Sequence, residues 1–279
     1  MQAYLPRLEL EEYRLLNELI TDLIGVHFPP PKLAILESRL RPRLQQLQLD
    51  RFMDYYLVLQ YDLDSELPHL THLVTNNETY FFRETYQFEA LFEDALDGLM
   101  GSATPAGRPL AVLCAGCSSG EEPYTLSVHA ADIPKRRLAA GLVIDAIDVD
   151  QARLEAAERA EYGPNSLRVA TEEQIRDCFR RSGTDRYTLL ERFREGVAFA
   201  HGNILDRATY PRPAGYDVIF CRNVLIYFSE TALHRAVQQF ADALRPGGIL
   251  FLGHAESIIG LSPRFETVRL KRCIAYRRT

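Results

Sequence analysis

No apolar run in the 279 residues approaches the length of a membrane-spanning helix, so we expect no membrane insertion. The N-terminus carries Glu9, Glu11 and Glu12 where a signal peptide has a basic start and an apolar core, which predicts a cytoplasmic protein. A basic excess is missing as well, because 32 Lys and Arg stand against 38 Asp and Glu. Binding to duplex nucleic acid requires a concentrated basic face, so we expect no nucleic-acid partner.

Cysteine is scarce, and its distribution excludes a disulfide framework. The five cysteines are too few and too scattered for one. Cys114 and Cys117 have the CxxC spacing of zinc and redox sites, but neither a second such pair nor nearby histidines accompany them. We therefore expect no metal site.

The first 75 residues have the apolar spacing of amphipathic helices. Apolar residues recur every three to four positions up to Ile24, and Gly25 closes this helix. Three prolines at 29–31 precede a second helix, in which Pro42 predicts a kink or a helix start. The basic residues of that helix are Lys32, Arg39, Arg41 and Arg43. With a third helix over about 51–63, the pattern predicts an all-helical N-terminal domain over residues 1–75.

From about Leu110 short apolar runs alternate with helical patterns, which indicates a parallel sheet covered by helices. Strands are expected at 110–114, 142–147, 197–200, 216–221 and 249–253, with helices near 121–131, 151–160 and 230–244. Residues 174–200 add a charged helix and a hairpin that pairs 187–190 with 196–200, and the alternating tail 265–278 predicts a closing antiparallel strand. We predict an α/β domain over residues 76–279, with a small antiparallel β-subdomain inserted at about 174–200.

A strand, a glycine loop and a helix follow one another from Leu110 to Tyr124. A helix N-terminus attracts anions, and a dinucleotide would place its pyrophosphate there. Glu121 and Glu122 occupy that position and would repel phosphate. An acidic first turn above Gly116 instead favours a ligand with cationic groups, such as S-adenosylmethionine (SAM), which has an ammonium and a sulfonium.

Polar residues follow the ends of the next predicted strands. A carboxylate at the end of the second strand can accept hydrogen bonds from both ribose hydroxyls. Asp148 follows the apolar run most directly and is our candidate, whereas Asp150 is expected to cap the following helix. Asn203 follows the third strand and suits the exocyclic amine of adenine. Arg222 and Asn223 end the fourth strand, where the reactive groups of such sheets collect.

The stretch between the helical region and the sheet combines aromatic and polar residues. Phe81 and Phe82 are expected in the core by residue type. Asn77, Thr79 and Arg83 would then face a cleft.

Five segments, in this order and spacing, resemble the CheR family of SAM-dependent methyltransferases, which esterify glutamates of bacterial chemotaxis receptors. They are NETYFFRE, GCSSGEEPYTL, AIDVD, FCRNVLIYF and GGILFLGHAES. The resemblance covers nearly the whole chain and implies a Rossmann-like class I methyltransferase sheet. It places Arg83 and Tyr227 beside the transferring methyl as catalytic residues. The SAM contacts expected from it and from the glycine loop are Asn77, Thr79, Arg83, Gly116, Glu121, Asp148, Asn203, Ile204, Arg222 and Asn223.

The resemblance also implies a product and a partner. The product is S-adenosylhomocysteine, and the partner is the cytoplasmic helical domain of chemoreceptors. The family's N-terminal helices help to engage the receptor, although Pro42 stands where a basic residue is common. In the family the β-subdomain can dock a short peptide at the receptor C-terminus. The hairpin loop here is a few residues shorter than in peptide-binding members, so we expect that no pentapeptide tether is needed. We also expect a monomer.

A glutamate side chain has a reference pKa of about 4.3, so it is already anionic at neutral pH and needs no general base. Two alternatives stay open. One is a SAM-dependent methyltransferase for nucleic acid or a small molecule, but the segment after Asn223 lacks the prolines of adenine N6-methyltransferases. The other is a non-catalytic SAM-sensing signalling module, which would tolerate loss of Arg83 and Tyr227, yet both are present.

Overall fold

The computed structural model describes residues 6–100, 108–138 and 140–279, which form two compact units. The first unit holds the chain up to Asn76 and Tyr227–Arg235, and the second holds Asn77–Ile226 and Ala236–Thr279. Within the described ranges, no helix is both long enough and apolar enough to cross a membrane.

The helices and strands are numbered in chain order. The helices are α1 (Leu10–Ile24), α2 (Leu33–Gln46), α3 (Phe52–Tyr61), α4 (Leu63–Val74), α5 (Tyr86–Ala90), α6 (Leu96–Leu99), α7 (Glu121–Ala131), α8 (Gln151–Arg159), α9 (Glu172–Cys178), α10 (Glu191–Arg194) and α11 (Glu230–Ala243). The strands are β1 (Leu110–Ala115), β2 (Leu142–Asp148), β3 (Glu161–Tyr162), β4 (Phe179–Arg181), β5 (Tyr187–Leu189), β6 (Val197–His201), β7 (Tyr216–Cys221), β8 (Leu244–Leu252), β9 (Phe265–Arg269) and β10 (Ile274–Arg278).

The first unit is built from α1 to α4. A capping box of Glu9 and Glu12 begins α1, and Gly25 ends it as predicted. Helix α2 runs through Pro42 without a break, so the helix start predicted there is wrong. Its leucines at 36, 40 and 44 are fully buried, and this packing outweighs the one backbone hydrogen bond that a proline removes. Helix α4 was not predicted separately from α3.

The second unit contains a seven-stranded sheet in the order β6-β2-β1-β7-β8-β10-β9. Its first five strands are parallel, and β10 is antiparallel to both β8 and β9. All six residues of β1 and of β7 are buried, as expected for strands covered on both faces. The predicted closing strand is therefore a hairpin of two strands.

Aromatic side chains fill the core of this unit. Phe220 stacks on Phe251 with ring centroids 4.7 Å apart. Phe81 packs edge-on against Tyr162 and Phe179, at 4.7 and 4.9 Å. Phe81 is fully buried and Phe82 nearly so, which confirms that both belong to the core.

The inserted sheet differs from the predicted hairpin. It has the order β3-β5-β4, and β5 pairs antiparallel with both neighbours. The predicted pairing of 187–190 with 196–200 is wrong, because β6 instead lies parallel to β2 at the edge of the large sheet. The backbone of β6 finds its hydrogen-bond partners there, whereas β5 finds its partners in β4 and in β3, which precedes residue 174.

Candidate active site

The candidate site lies where β1 has β2 on one side and β7 on the other. The chain leaves β1 toward β2 and leaves β7 toward β8, so the connections after β1 and β7 lead in opposite directions along the sheet. In open parallel sheets this arrangement opens a crevice at the carboxyl ends of the strands. The predicted SAM contacts after β1, β2, β6 and β7 all belong to the second unit, whereas the predicted catalytic residue Tyr227 belongs to the first.

The amides of the glycine loop after β1 already have acceptors in the protein. Gly116 and Cys117 donate to the carbonyl of Ile147 at 2.8 and 3.0 Å. The amide of Ser118 donates to the Asp148 carboxylate at 2.7 Å. A phosphate-binding loop keeps such amides for its ligand. These hydrogen bonds therefore agree with the sequence, which argued against a pyrophosphate at this loop.

Asp148 and Asp150 organise the loops around β2. The Asp148 carboxylate accepts from the amides of Ser118 and Asp150, the second at 2.9 Å, and burial raises its pKa. Asp150 caps α8 as predicted, accepting from the amides of Ala152 and Arg153. Each carboxylate oxygen has a second lone pair, so Asp148 can accept a ribose hydroxyl in addition to an amide.

Of three further predicted residues, Asn77, Asn203 and Ile204, only the first is bound to this loop system by the contacts described below. The Asn77 side chain donates to the Asp150 carboxylate at 3.0 Å. The side-chain oxygen of Asn203 accepts from the amide of Leu205 at 2.9 Å, so it shapes its own loop. Ile204, which follows it, is 7% exposed. The structure therefore brings Asn77 to the carboxylates after β2.

The two glutamates that begin α7 have different surroundings. Glu121 is 1% exposed, and its carboxylate accepts from the hydroxyls of Ser119 and Ser166, each at 2.8 Å. Burial raises the pKa of Glu121. Glu122 lies 3.2 Å from the guanidinium of Arg222, and burial raises its pKa despite that cation.

Arg222 connects the end of β7 to the turn that carries Arg83. Its guanidinium lies 3.4 Å from Glu84 and donates to the carbonyl of Arg83 at 2.5 Å. Glu84 also pairs with Nδ1 of His254 at 2.7 Å. Burial alone would raise the pKa of Glu84, but His254 and Arg222 outweigh it and lower that pKa. Arg222, predicted as a SAM contact, thus fixes the backbone beside Arg83.

Arg83 is held over an aromatic ring. Its guanidinium lies 5.4 Å from the ring centre of Tyr80, and Arg168 lies 3.7 Å from the same centre. One N–H of Arg83 donates to the carbonyl of Glu78 at 3.1 Å, out of five that a guanidinium has. Thr79 precedes this turn and is partly buried.

Asn223 presents a buried acceptor. Its backbone is in the left-handed region, at φ 60°. Its side-chain oxygen is buried and has no hydrogen-bond partner among the described residues. Because a buried acceptor without a donor is costly, this oxygen is suited to an N–H or O–H of a ligand.

Tyr227 belongs to the first unit, with the N-terminal helices. Its hydroxyl accepts from the side-chain amide of Asn76, and its carbonyl accepts from the amide of His27 at 2.8 Å. It lines a pocket of that unit together with Lys32 and Arg39.

The arginines of α2 are engaged inside the first unit. Arg39 donates to the carbonyl of Thr75 at 3.0 Å, beyond the end of α4. Arg41 pairs with Glu37 one turn earlier, and Arg43 binds Glu66 through two hydrogen bonds of 2.8 and 2.7 Å. Two of the three arginines are therefore paired with carboxylates and the third is bound to backbone carbonyls, whereas Lys32 is exposed.

The residues around the crevice fit SAM. Gly116 has φ +82°, and a Cβ there would lie 2.6 Å from a methyl group of Val224, so only glycine allows this close approach of the two loops. The buried groups without a partner among the described residues include an acceptor, the side-chain oxygen of Asn223, and a donor, Nε of Arg222. Acceptors match the ammonium and ribose hydroxyls of SAM and disfavour a phosphate.

Sequence reasoning missed two acidic residues of this region, Glu84 and Glu256, and the partner of a third, Glu122. Glu84 and Glu122 both pair with Arg222, and Glu256 binds backbone amides after β7. Glu84 and Glu256 lie in segments that carry the family resemblance, so their position was a signal without an assigned role.

Two family sequence models match adjacent stretches of the chain. The model described as "CheR methyltransferase, all-alpha domain" matches residues 11–75. The model described as "CheR methyltransferase, SAM binding domain" matches residues 77–274. Together they cover most of the sequence.

The chain is also similar to individual proteins. It is 32% identical to chemotaxis protein methyltransferase 2 of Vibrio cholerae, over 90% of this chain and 87% of that protein. It is 32% identical to the probable biofilm formation methyltransferase WspC of Pseudomonas aeruginosa, over 94% of this chain and 61% of that protein. A similar solved structure is the N-methyltransferase NodS of Bradyrhizobium japonicum WM9 in complex with S-adenosylhomocysteine, at 18% identity and a TM-score of 0.39, covering 68% of this chain and 87% of that one.

Proposed function

The chain belongs to the CheR methyltransferase family, and we propose that it methylates glutamate side chains of bacterial chemoreceptors. Its cofactor is SAM, since residues 77–274 match the SAM binding domain of the family. The products of the proposed reaction are a glutamate methyl ester and S-adenosylhomocysteine. Receptor methylation of this kind removes one negative charge from a receptor helix and can bias a two-state signalling bundle.

The observation that carries this proposal is the hydrogen bonding of the glycine loop. Its amides at 116–118 are bound to Ile147 and Asp148, whereas the oxygen of Asn223 is buried and unpaired among the described residues. Because a pyrophosphate needs free loop amides, bound amides beside a free acceptor support a cationic nucleoside ligand over a dinucleotide.

SAM supplies an electrophilic methyl group on a sulfonium. The incoming carboxylate is already ionised at neutral pH, so the protein has to align it and partly remove its water. We assign the alignment to Arg83, which stacks on Tyr80 and can donate a charge-assisted hydrogen bond to a carboxylate. Tyr227 is the second catalytic residue of the proposal, on the family resemblance of its segment, and would offer a hydroxyl and an aromatic ring.

The proposed partner is the cytoplasmic helical domain of chemoreceptors, and we propose that the enzyme acts on it in the cytoplasm as a monomer. We propose that residues 1–75 form the domain that engages the receptor and residues 76–279 the methyltransferase domain. Lys32, just before α2, is exposed and available in this scheme, whereas Arg43 is paired with the buried Glu66.

We further propose that this enzyme works without a pentapeptide tether. A tethered peptide would add a strand to an edge of the small sheet. The edge strand β4 has three residues, and the turn that follows is closed by a 2.9 Å hydrogen bond from Ser182 to Arg186. Arg181 folds onto this turn and donates to the carbonyls of Gly183 and Thr184. A short edge with charged side chains offers little to a docking strand.

Calorimetric titration with a synthetic peptide of the last five receptor residues tests the tether proposal. We expect no heat of binding above the heat of dilution. Micromolar binding that Arg181→Ala alters would contradict it.

Methyl transfer to receptor-rich membranes tests the function itself. With SAM labelled in its methyl group, we expect label in the receptor that mild alkali releases, because methyl esters are base-labile. Alkali-stable label, or label in nucleic acid, would favour the first alternative function. Tight binding of S-adenosylhomocysteine with no transfer would favour the sensing module.

A further inference from the structure

The GHAES segment, residues 253–257, follows strand β8. Its glutamate, Glu256, binds backbone amides of the loop after β7. We call residues 223–226 the β7 loop. One oxygen of Glu256 accepts from the amides of Val224, Leu225 and Ile226, at 2.9, 2.7 and 3.3 Å. The other oxygen accepts from the amides of Asn223 and Gly253, at 2.8 and 2.7 Å.

Five amides on one carboxylate form an anion nest that the protein fills with its own side chain. Successive amides of a loop point to one spot only when the loop curls around it, so the Glu256 carboxylate determines the curl of the β7 loop. Gly253 allows the approach, because a Cβ there would lie 2.8 Å from Glu256 and 2.9 Å from the amide nitrogen of Asn223. The loop, Glu256 and Gly253 all belong to the second unit.

The curl has a consequence for Asn223. This residue begins the β7 loop with a left-handed backbone that an asparagine adopts only at some cost. Its amide is held by Glu256, while its side-chain oxygen is buried and unpaired among the described residues. The Glu256 carboxylate thus holds the backbone of Asn223, whose side-chain oxygen is free to accept a hydrogen bond from a ligand.

We infer that Glu256 is a positioning residue, which orients Asn223 toward SAM by holding the amides of the β7 loop. The inference rests on the proposed function, because it assigns Asn223 to the cofactor. Glu256 acts through the loop and does not itself touch the methyl group.

Glu256→Gln is the variant that separates this role from simple packing. The amide has nearly the shape of the carboxylate but replaces one acceptor oxygen with a donor. In either orientation its NH2 group faces at least two of the five amides, which lose their acceptor. Glu266→Gln is the matched control, because it makes the same change on the exposed strand β9.

Amide hydrogen exchange reads out the loop without any cofactor. We expect faster exchange at 223–226 and 253 in Glu256→Gln, and wild-type exchange there in Glu266→Gln. Glu256→Asp keeps the charge but is one methylene shorter, so we expect a smaller increase. Thermal unfolding shows whether Glu256→Gln folds. If it does not, the same exchange measurement on Glu256→Asp tests the inference. Unchanged exchange in a folded variant would overturn the inference.

Titration with S-adenosylhomocysteine reads out Asn223. Losing one oriented hydrogen bond weakens binding about tenfold, and we expect this loss in Glu256→Gln. In methyl transfer, KM for SAM should rise while KM for the receptor stays within about twofold. Faster loop exchange with wild-type affinity would reduce Glu256 to a structural role. A wild-type protein that binds S-adenosylhomocysteine but methylates no receptor would instead refute the proposed function.

Discussion

Charged residues in the second unit pair across segments that are far apart in sequence. Arg222 contacts both Glu84 and Glu122, and its side chain is 2% exposed. Removing either partner would leave a buried charge without full compensation, which is strongly destabilising. Through Glu84 and the carbonyl of Arg83, Arg222 holds the turn that carries Arg83, although the sequence predicted it to bind the cofactor.

Arg83→Ala should impair catalysis more than cofactor binding. Its proposed partner is the incoming carboxylate, and misplacing a reacting group costs about 10²-fold in rate. We expect kcat for receptor methylation to fall by about that factor, with S-adenosylhomocysteine affinity within about threefold. Calorimetry and steady-state transfer measure the two quantities.

Arg168→Ala is the control for that prediction, because Arg168 stacks on the same Tyr80 ring. It should change kcat by less than about threefold. A mutant of Arg83 that lost affinity for S-adenosylhomocysteine but turned over normally at saturating SAM would assign Arg83 to the cofactor instead.

Single-residue roles were predictable where the chemistry is local. The capping role of Asp150 follows from its place before a helix, and the burial of Phe81 follows from its type. The amides bound by Asp148 and Glu256 were not predictable, because their partners depend on how loops from different strands meet. Glu256 is 30 to 33 residues from the β7 loop amides that it binds.

Helix α2 was predicted to present a basic face, but its arginines bind partners inside the first unit. Arg43 forms two hydrogen bonds to Glu66, which is 4% exposed and also accepts from the hydroxyl of Tyr55. Burial alone would raise the pKa of Glu66, but the hydrogen bonds from Arg43 and Tyr55 lower it. This arginine connects α2 to α4 and is therefore unavailable to a receptor.

Arg43→Ala should destabilise the protein by about 3 kcal/mol at neutral pH, because it leaves the Glu66 carboxylate buried without its cation. Arg41→Ala, on the same helix, breaks a half-exposed pair with Glu37 and should cost less than about 1 kcal/mol. Urea unfolding of both variants measures the difference. Equal costs would contradict the assigned role of Arg43.

The cost of Arg43→Ala should also depend on pH. The folded pKa of Glu66 is lowered from its ordinary 4.5, so the unfolded chain binds more protons between the two values. The stability from this pair is complete above pH 4.5 and is lost as pH falls through the folded pKa. The gap between wild type and variant should therefore narrow in acid, and a gap independent of pH would contradict the ion pair.

Gly116→Ala tests the close approach of the loops after β1 and β7. Gly247 is the matched control: it has φ +79°, but a Cβ there would have no neighbouring atom within 4 Å, whereas a Cβ at Gly116 would meet Val224. A left-handed alanine costs about 1–2 kcal/mol, and both variants should show this loss in urea unfolding. Only Gly116→Ala should also weaken S-adenosylhomocysteine binding. Equal affinities in the two variants would remove the loop from the site.

For the whole molecule, the sequence predicted the central sheet better than its edges. Continuous apolar runs identified β1, β2 and β7, which are central strands buried on both faces. Their backbone N–H and C=O groups can find hydrogen-bond partners only in neighbouring strands. The small sheet was mispaired because its strands have two or three residues, too few for a period to appear. The return of Tyr227–Arg235 to the first unit had no signal in the sequence, because it depends on tertiary packing.

The most direct test of the account is to map the transferred methyl groups on a purified receptor by tandem mass spectrometry. We predict methyl esters on glutamate side chains, formed only with SAM and the wild-type enzyme and removed by mild alkali. Methyl groups on nitrogen, or an unmodified receptor in the presence of an enzyme that binds S-adenosylhomocysteine, would contradict glutamate methylation by this chain.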